Sequence, residues 1–503
     1  MDVSPDTFRA VIDAHASSQP HAPFLIAPEP GLETDYATLR ASCRAFTSLL
    51  DAAHIPPGAT VAFMLENGWS AATVFLVAMY GGYVVSPINL LAQDAQLGYS
   101  LTHSEARIVF AAAANRERLE AIRRTTGAAF EIRVVGIDGL ELPVTAPARL
   151  PTLRAGDPAM LMYTSGTTGT PKGALLSHAN MLFAGRAVAG SLELGSADRV
   201  LSSLPLYHIN GQCIATVAPL VAGGSIVMPH RFSVTQWWPL VDAHRPTWLN
   251  MVPTIIAYLL NGPELTPSQA AACAHVRFGR SASAPLPPEQ HRAFEQRFGI
   301  SVVEAMGLTE CASVAFSNPL AAGSRRYGSP GMPLGVEARV VDPSGRVLAA
   351  GERGEIEVRG GNVMLGYFKS PDATAAALRD GGWLATGDLG HRDADGYYFI
   401  TGRLKELIIK GGENIAPREI DEALLAHPAV LEAAAVGVPD AAYGQEILAC
   451  VVVKPGASCT EDDLRAHCLR TLGRYKSPRY LRLVDHLPKG PSGKVQRLRL
   501  VEL

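Results

Sequence analysis

An eleven-residue segment has the composition of a loop that binds phosphate. Residues 163–173 read Tyr-Thr-Ser-Gly-Thr-Thr-Gly-Thr-Pro-Lys-Gly, with five small hydroxyls, three glycines and one lysine. Glycine lets backbone N–H groups approach an anion, hydroxyls donate further hydrogen bonds, and lysine supplies a compact positive charge. The spacing differs from the common P-loop, G-x-x-x-x-G-K-[ST]. We therefore predict a phosphate loop of another class, formed by Lys172 with Thr164, Ser165, Gly166, Thr167, Thr168 and Gly169.

The residues on either side of this loop place it in a folded domain. Runs rich in Ser, Thr and Gly are typical of flexible linkers. Here residues 160–163 are all apolar or aromatic, which predicts a buried strand, and residues 177–180 have the pattern of a helix start. The phosphate-binding interpretation is therefore favoured over a linker.

Composition limits the class of protein. A chain of 503 residues is too long for one core and predicts at least two domains. With 48% hydrophobic and 18% charged residues it is typical of a soluble globular protein. The net charge of −3 predicts no basic face, so nucleic acid is not an expected partner. Seven cysteines without a C-x-x-C pair favour reduced thiols in a cytoplasm over disulfides or a zinc site.

No segment predicts a membrane span or a targeting signal. Residues 1–6 lack the basic start and apolar run of a signal peptide, and the chain ends in Val-Glu-Leu rather than the peroxisomal Ser-Lys-Leu. The apolar stretch at residues 71–85 is interrupted by two glycines, which favours a core helix. We therefore expect a cytoplasmic protein with no membrane partner.

The order of elements predicts a large domain followed by a small one. The first 400 or so residues alternate short apolar runs, such as residues 60–64 and 224–228, with helical stretches, the pattern of α/β layers. Asp395-Gly396 predicts a hairpin turn. The last 100 or so residues have signals of their own, which fit a small α+β domain: strands at 433–438 and 447–453 and a helix at 461–472.

Together with later segments, the loop resembles the adenylate-forming superfamily of acyl-CoA synthetases, peptide-synthetase adenylation domains and luciferases. The resemblance covers nearly the whole chain, and its motifs occur in the family's order: residues 306–310, 386–388, 402–405, 409–415 and 491–494. It implies an α/β N-terminal domain of layered sheets and helices, residues 1–402. A small mobile α+β C-terminal domain, residues 403–503, would turn about a hinge near Lys405.

The resemblance assigns nucleotide contacts to several residues. Glu310 would hold Mg²⁺, which prefers carboxylate and phosphate oxygens, and Thr309 in the same segment as Gly307 would donate to the α-phosphate. Asp388 would accept hydrogen bonds from both ribose hydroxyls, supported by Arg403. Ser283 and Ala284 would belong to the adenine loop. The family usually has Tyr where this chain has Met306, and a methionine gives adenine a softer contact.

Two further segments are implied to act in turn. Lys494 matches the family's adenylation lysine, which offsets charge that grows in the transition state. The alternative is that Lys494 is simply a solvated lysine in a basic tail. Acetylation of Lys494 would remove the charge that the first step needs. Gly411 and Gly412 match the glycines that line the pantetheine tunnel after the small domain has rotated.

The reaction implied is acid–CoA ligation through an acyl-adenylate, with release of pyrophosphate and then of AMP. It uses ATP, Mg²⁺ and coenzyme A. A stand-alone adenylation enzyme that loads a carrier protein is the alternative.

Three segments are implied to surround the acyl group. The first contains Tyr207, His208, Gly211 and Gln212. Amino-acid-activating relatives tend to have an aspartate in this segment, and this chain has Tyr207-His208 instead, which disfavours an amino acid as the substrate. His208 fits either a gate of the pocket or a packed core histidine. The second contains Arg280 and Ser281, and the third contains Ser313.

Arg280 stands where most relatives have an apolar residue. A buried arginine needs a partner, which is either a second carboxylate or other polar group on the substrate or an acidic side chain of the protein. Oxalyl-CoA synthetases look similar in this stretch, and carnitine and crotonobetaine CoA ligases look similar near His208. Together these features favour a short or polar acid, such as a dicarboxylate or a hydroxylated short acid, over a long-chain one.

Overall fold

The computed structural model describes residues 5–142, 150–164, 171–489 and 495–503. Its α-helices are α1 (Phe8–Ser18), α2 (Tyr36–Ala52), α3 (Trp69–Gly81), α4 (Asp94–His103), α5 (Arg116–Thr126), α6 (His178–Ser191), α7 (Ala218–Ala222), α8 (Val234–His244), α9 (Pro253–Leu260), α10 (Pro267–Cys273), α11 (Pro288–Phe298), α12 (Pro371–Ala377), α13 (Pro417–Leu425) and α14 (Glu461–Lys476). A π-helix covers Asn210–Val217, and short 3₁₀ turns cover Ala113–Asn115, Thr309–Cys311, Ala322–Ser324, Leu404–Glu406 and Arg497–Glu502.

The strands of the large domain are β1 (Pro23–Ala27), β2 (Leu32–Asp35), β3 (Thr60–Met64), β4 (Val84–Pro87), β5 (Ile108–Ala111), β6 (Glu131–Val134), β7 (Pro158–Thr164), β8 (Lys172–Ser177), β9 (Arg199–Leu201), β10 (Ser225–Val227), β11 (Trp248–Met251), β12 (Phe278–Ser281), β13 (Val302–Met306), β14 (Phe316–Ser317), β15 (Met332–Pro333), β16 (Glu337–Val341), β17 (Gly354–Arg359), β18 (Gly366–Tyr367), β19 (Leu378–Arg379), β20 (Trp383–Arg392) and β21 (Tyr398–Arg403). The later strands are β22 (Ile408–Lys410), β23 (Glu413–Ile415), β24 (Val430–Asp440), β25 (Gly444–Val453) and β26 (Tyr480–Leu483).

Two large sheets form the layers that the sequence predicts. One has nine strands in the order β15-β14-β13-β12-β11-β9-β10-β1-β2, and the other has seven in the order β18-β8-β7-β4-β3-β5-β6. Strands β13, β12, β11, β9, β10 and β1 are parallel, so the carboxyl ends of β9, β11, β12 and β13 meet at one edge. In open α/β sheets, ligands bind beyond these carboxyl ends.

Helix α3 confirms that the long apolar stretch is a core helix. Residues 70–81 are all buried, and the helix contacts β1 of the nine-stranded sheet as well as β3 and β4 of the seven-stranded one. A helix that is apolar all round has to lie inside the protein. It ends at Gly82, whose φ of 85° suits a glycine at a helix C-terminus.

The small C-terminal domain has its own hydrophobic cores. Helices α13 and α14 cover one face of its five-stranded sheet, with Ile420 and Leu464 in a cluster of residues 408–481. A second cluster, from Ala434 to Leu500, covers the other face. The expected large α/β domain and smaller C-terminal domain are therefore confirmed, while the boundary at residue 402 stays a prediction. The hairpin turn at Asp395-Gly396 lies between the paired strands β20 and β21, as expected.

Among the residues that the structure describes, no helix is both long and apolar enough to cross a membrane. All seven cysteines lie in the described ranges and are unpaired, six of them buried. The cytoplasmic location stays a prediction.

Candidate active site

The two ends of the predicted phosphate loop are paired strands. Thr164 ends β7, Lys172 begins β8, and the two residues are register partners in this antiparallel pair. The Thr164 hydroxyl donates to the Lys172 carbonyl at 3.4 Å. Loop residues Ser165, Gly166, Thr167, Thr168 and Gly169 lie outside the described residues. The predicted helix start downstream is confirmed, because the Ser177 side chain caps α6.

Lys172 and Glu310 meet on either side of a tyrosine that sequence reasoning missed. The Tyr367 hydroxyl donates to Glu310 Oε1 at 2.8 Å, and Lys172 Nζ lies 5.0 Å from the centroid of the same ring. Burial, reinforced by the Glu310 carboxylate, raises the pKa of Tyr367, which keeps the phenol neutral. Only a glycine-tyrosine pair marks Tyr367 in the sequence, because its contact with Glu310 depends on strand pairing between β8 and β18.

A tight turn carries Glu310 beyond the end of β13. A Cβ on Gly307 would lie 2.1 Å from the Ser313 carbonyl oxygen, so only glycine fits there. Ala312 and Ser313 have φ values of 48° and 69°, a left-handed conformation that is strained for residues other than glycine. Thr309 and Glu310 begin a single turn of 3₁₀-helix in this segment, and both are half-buried. Met306, directly before the turn, is half-buried as well.

Asp388 and Arg403 form a pair beside this turn. Asp388 is 3% exposed, and its two carboxylate oxygens accept from Arg403 Nε at 2.7 Å and from Nη2 at 3.4 Å. The Asp388 carboxylate raises the pKa of Arg403, and Glu310 adds to the shift. The two residues predicted to contact ribose therefore lie within electrostatic range of the residue predicted to bind the metal.

Arg280 is buried at the carboxyl end of β12 without an anionic partner. It is 2% exposed, its Nη1 has no hydrogen-bond partner, and no Asp or Glu among the described residues forms an ion pair with it. Burial lowers the pKa of Arg280 to about 10, so the guanidinium stays charged at neutral pH. Of the two partners considered for Arg280, the acidic protein side chain is absent from the described part of the chain.

A chain of hydrogen-bonded neutral side chains begins at the strand neighbour of Arg280. Its register partner on β11 is Asn250, which is fully buried and donates to Asn210 Oδ1 at 3.1 Å and to Ser202 Oγ at 3.4 Å. Asn210 in turn donates to Ser283 Oγ at 3.1 Å. Asn250 Oδ1 has no partner in the described structure. Arg280 and Asn250 therefore offer an unpaired donor and an unpaired acceptor to a ligand, and the sequence analysis named only the first.

The segment predicted to form the first wall of the acyl pocket runs into a π-helix at Asn210–Val217, which sequence periodicity did not predict. Gln212 is buried, its Nε2 donates to the Leu206 carbonyl at 2.6 Å, and its Oε1 has no partner among the described residues. A Cβ on Gly211 would lie 2.5 Å from the Pro205 carbonyl oxygen, which explains the glycine. His208 Nδ1 accepts from the Asn210 backbone at 3.3 Å. π-Helical turns are rare and often occur at functional sites.

The structure separates some residues that the sequence analysis grouped. Consecutive strand residues point to opposite faces, so Ser281 faces away from Arg280, on the side of its register partner Glu304. Ser313 is 6% exposed, and Ala284 is half-buried.

Tyr207 lines a cavity of about 60 Å³ together with Thr164, beside the phosphate loop. A larger cavity, about 650 Å³, opens near the amino ends of β3, β4 and β7 and includes none of the predicted site residues.

The small domain presents its glycines to solvent. Gly411 and Gly412 are exposed, and the Gly411 N–H donates to the Tyr443 carbonyl at 2.8 Å within that domain. Lys494 lies outside the described residues; Lys489 and Val495, on either side of it, form an antiparallel bridge. Lys489 Nζ lies 6.0 Å from the ring centroid of Tyr258 on α9 of the large domain. Lys405 is exposed in a 3₁₀ turn.

Glu304, on β13 ahead of the turn that carries Glu310, is a buried acid, so we expect the stability of the fold to depend on pH. Its Oε1 accepts from the Leu286 N–H at 3.0 Å, and its Oε2 has no partner among the described residues. Burial raises the pKa of Glu304 to about 7, although Leu286 N–H and Arg418 lower it; Glu422 raises it further. Between pH 5 and 8 the unfolded chain loses this proton first, so unfolding becomes easier as the pH rises.

We expect Glu304→Gln to stabilise the protein at pH 8 relative to the unchanged chain, by up to about 3 kcal/mol, and to lose this advantage at pH 5. Thermal unfolding measured at both pH values checks this. Glu289→Gln, on the exposed surface of α11, is the control and should shift both curves equally. An advantage that is the same at pH 5 and pH 8 would contradict the buried-acid account.

Comparisons with known proteins agree over nearly the whole chain. Residues 12–368 match the family model described as AMP-binding enzyme, and residues 419–494 match the model described as AMP-binding enzyme C-terminal domain. A sulfoacetate–CoA ligase from Cupriavidus necator is 53% identical over 99% of this chain and 97% of its own. An oxalate–CoA ligase from Arabidopsis thaliana is 33% identical over 90% of each. The crystal structure of ATP-bound MatB from Rhodopseudomonas palustris has a TM-score of 0.89 at 33% identity, over 99% of this chain and 98% of that one.

Proposed function

The chain belongs to the AMP-binding enzyme family as an AMP-forming acid–CoA ligase, and we propose that its acid is short and carries a second anionic group. Sulfoacetate is the first candidate, because the relative that is 53% identical over 501 residues acts on it. Oxalate, the substrate named for a relative at 33% identity, also carries two anionic groups on a short carbon skeleton.

Arg280 is the observation that carries this proposal. A guanidinium that is buried without a partner loses its hydration, and this loss costs several kcal/mol unless a ligand anion replaces the water. A sulfonate is ionised at all physiological pH values and offers three acceptor oxygens. The guanidinium of Arg280 is a planar fork of donors and can bind two of these oxygens at once. Asn250, its register partner on the neighbouring strand, is held in place by its hydrogen bonds to Ser202 and Asn210.

The nucleotide end of the site supports formation of an acyl-adenylate. The acid's carboxylate oxygen would attack the α-phosphorus of ATP, and the bond to the β-phosphate oxygen would break, releasing pyrophosphate. Lys172 would hold the β- and γ-phosphates, and Asp388, oriented by Arg403, would accept from the ribose hydroxyls.

Mg²⁺ would be held by Glu310 together with phosphate oxygens. This fits the described residues, which include no group of three or more His, Cys, Asp or Glu side chains that could form a metal site made of protein alone. When bound, Mg²⁺ neutralises charge on the phosphates.

The second step transfers the acyl group to the thiol of coenzyme A. The thiol sulfur would attack the carbonyl carbon of the adenylate, AMP would leave, and the thiol proton would pass to solvent. Gly411 and Gly412 are exposed on the small domain and would reach the site only after this domain has turned about Lys405. The hinge and the turn are part of the proposal.

A carrier protein as the acceptor is the second candidate, since the same adenylate serves both. We test the choice by supplying ATP, Mg²⁺ and a panel of acids, with and without coenzyme A, and measuring pyrophosphate and the thioester by mass spectrometry. Continuous turnover with a dianionic acid and coenzyme A, yielding the CoA thioester, supports the proposal. A single turnover that coenzyme A does not extend would favour a carrier protein, and turnover only with long-chain or aromatic acids would refute the substrate class.

A further inference from the structure

We propose that Tyr367 is a positioning residue: it keeps the side chains of Glu310 and Lys172 apart and orients Glu310 toward the metal and Lys172 toward the phosphates of ATP. The proposal rests on the nucleotide site of the proposed function and is independent of which acid is used. It concerns a residue that the sequence analysis did not name.

The backbone around Tyr367 joins the two halves of the nucleotide site. The Phe368 N–H donates to the Gly173 carbonyl at 2.8 Å, next to Lys172 on β8. On the other side, the Met364 N–H donates to the Glu310 carbonyl at 2.9 Å. Residues 364–368 therefore connect the strand that follows the phosphate loop to the turn that carries the acidic residue, and the Tyr367 side chain lies between them.

The conformation of Tyr367 is fixed from α12. The Tyr367 N–H donates to Thr374 Oγ1 at 2.9 Å. The preceding residue, Gly366, has a φ of 147°, and a Cβ there would lie 2.9 Å from Thr374 Cγ2. A larger residue at position 366 would push the strand away from α12, so the glycine and the threonine together set where the phenol points.

A neutral phenol suits this place because it contacts both charged groups without joining them. Its O–H donates to Glu310 at 2.8 Å, and its ring face attracts the Lys172 ammonium at 5.0 Å. Within the described part of the chain, Lys172 and Glu310 each contact Tyr367 and form no ion pair with each other. Direct pairing of the two would have to be broken before phosphate and metal could bind. The tyrosine thus keeps the site preorganised.

Two substitutions separate the roles of the hydroxyl and the ring. Tyr367→Phe removes only the hydrogen bond to Glu310, and we expect about a tenfold loss in affinity for MgATP with little change in affinity for metal-free ATP. Tyr367→Leu also removes the ring beside Lys172, so we expect metal-free ATP to bind more weakly as well. Calorimetric titration of ATP, with Mg²⁺ or with EDTA and without any acid, measures both affinities.

Tyr397→Phe is the matched control, because the Tyr397 hydroxyl donates to the Ser324 carbonyl, away from the nucleotide residues. It should leave both affinities unchanged. In turnover, Tyr367→Phe should raise the KM for MgATP more than it lowers kcat, a split that a general packing defect would not produce. Unchanged Mg²⁺ dependence in Tyr367→Phe, at a melting temperature equal to that of the unchanged chain, would overturn the proposal. Failure of the unchanged chain to bind MgATP would instead refute the proposed function.

Discussion

Replacing Arg280 by methionine is expected to lower kcat/KM for a dianionic acid by about 10²-fold to 10³-fold. Removing one partner of a buried, hydrogen-bonded charge pair costs about 2–5 kcal/mol, most of it because the remaining charge is left without a partner. The loss should be seen mainly in KM, because the second anionic group is present in both ground and transition states. Acetate has no second anion, so its kcat/KM should change by only a few-fold. Pyrophosphate release measured with each acid gives both values.

The same substitution makes a prediction about stability that does not depend on turnover. In the described structure Arg280 has no anionic partner, so replacing it by an apolar side chain of similar length removes an uncompensated buried charge. We expect the melting temperature of Arg280→Met to equal or exceed that of the unchanged chain. Adding the substrate should then raise the melting temperature of the unchanged chain only.

Arg277→Met is the control for a change of arginine to methionine in the same strand region. Arg277 pairs with Asp198 at 2.6 Å and is 36% exposed, so its loss should leave kcat/KM unchanged for both the dianionic acid and acetate. The assignment of Arg280 would be wrong if Arg280→Met left the preference for a dianionic acid over acetate unchanged.

Replacing Lys494 by alanine is expected to separate the two steps of the reaction. The small domain would bring this lysine to the carboxylate and α-phosphate only for adenylation, so adenylate formation should slow by about 10²-fold to 10³-fold. Thioester formation from supplied acyl-adenylate and coenzyme A should change by no more than about threefold, because in the proposed cycle the lysine would by then have left the site. Pyrophosphate release measures the first step, and AMP release from the supplied adenylate measures the second.

Lys489→Ala is the control, five residues earlier. Its ammonium pairs with Glu432 at 2.7 Å within the small domain, and its loss should affect neither step strongly. Acetylation of Lys494 removes the same charge as the alanine and should give the same pattern. Equal loss of both steps in Lys494→Ala would contradict an alternating domain, and a normal first step would remove Lys494 from the chemistry.

Local sequence signals predicted the elements that lie next to one another along the chain. The strand before the phosphate loop, the cap at Ser177 and the core helix α3 follow from periodicity and capping within a few residues. The same holds for the two strands and the long helix predicted in the small domain, each of which is a few residues longer in the structure than in the prediction. Strand ends and helix ends depend on tertiary pairing, which explains these differences.

Two missed features depend on contacts between distant parts of the chain. Tyr367 reaches Glu310 only because β18 pairs with β8, and Asn250 lies beside Arg280 only because β11 and β12 are neighbours. The third, the π-helix at Asn210–Val217, is local, and no residue pattern predicts it. Ser281 follows Arg280 in the sequence but faces the other side of the sheet, since neighbouring strand residues face opposite ways. Arg280 was found from sequence because an arginine in an apolar strand is unusual in itself.

The most direct measurement compares sulfoacetate with methylsulfonylacetate, a sulfone of nearly the same size and shape that has no charge on sulfur. Both present the same carboxylate to ATP, so only the interaction with the second anion differs. With ATP, Mg²⁺ and coenzyme A, the account predicts that kcat/KM for sulfoacetate exceeds that for the sulfone by at least about 10²-fold, and that Arg280→Met removes most of this difference. Equal kcat/KM for the two acids in the unchanged chain would contradict the claim that a buried arginine selects a second anionic group.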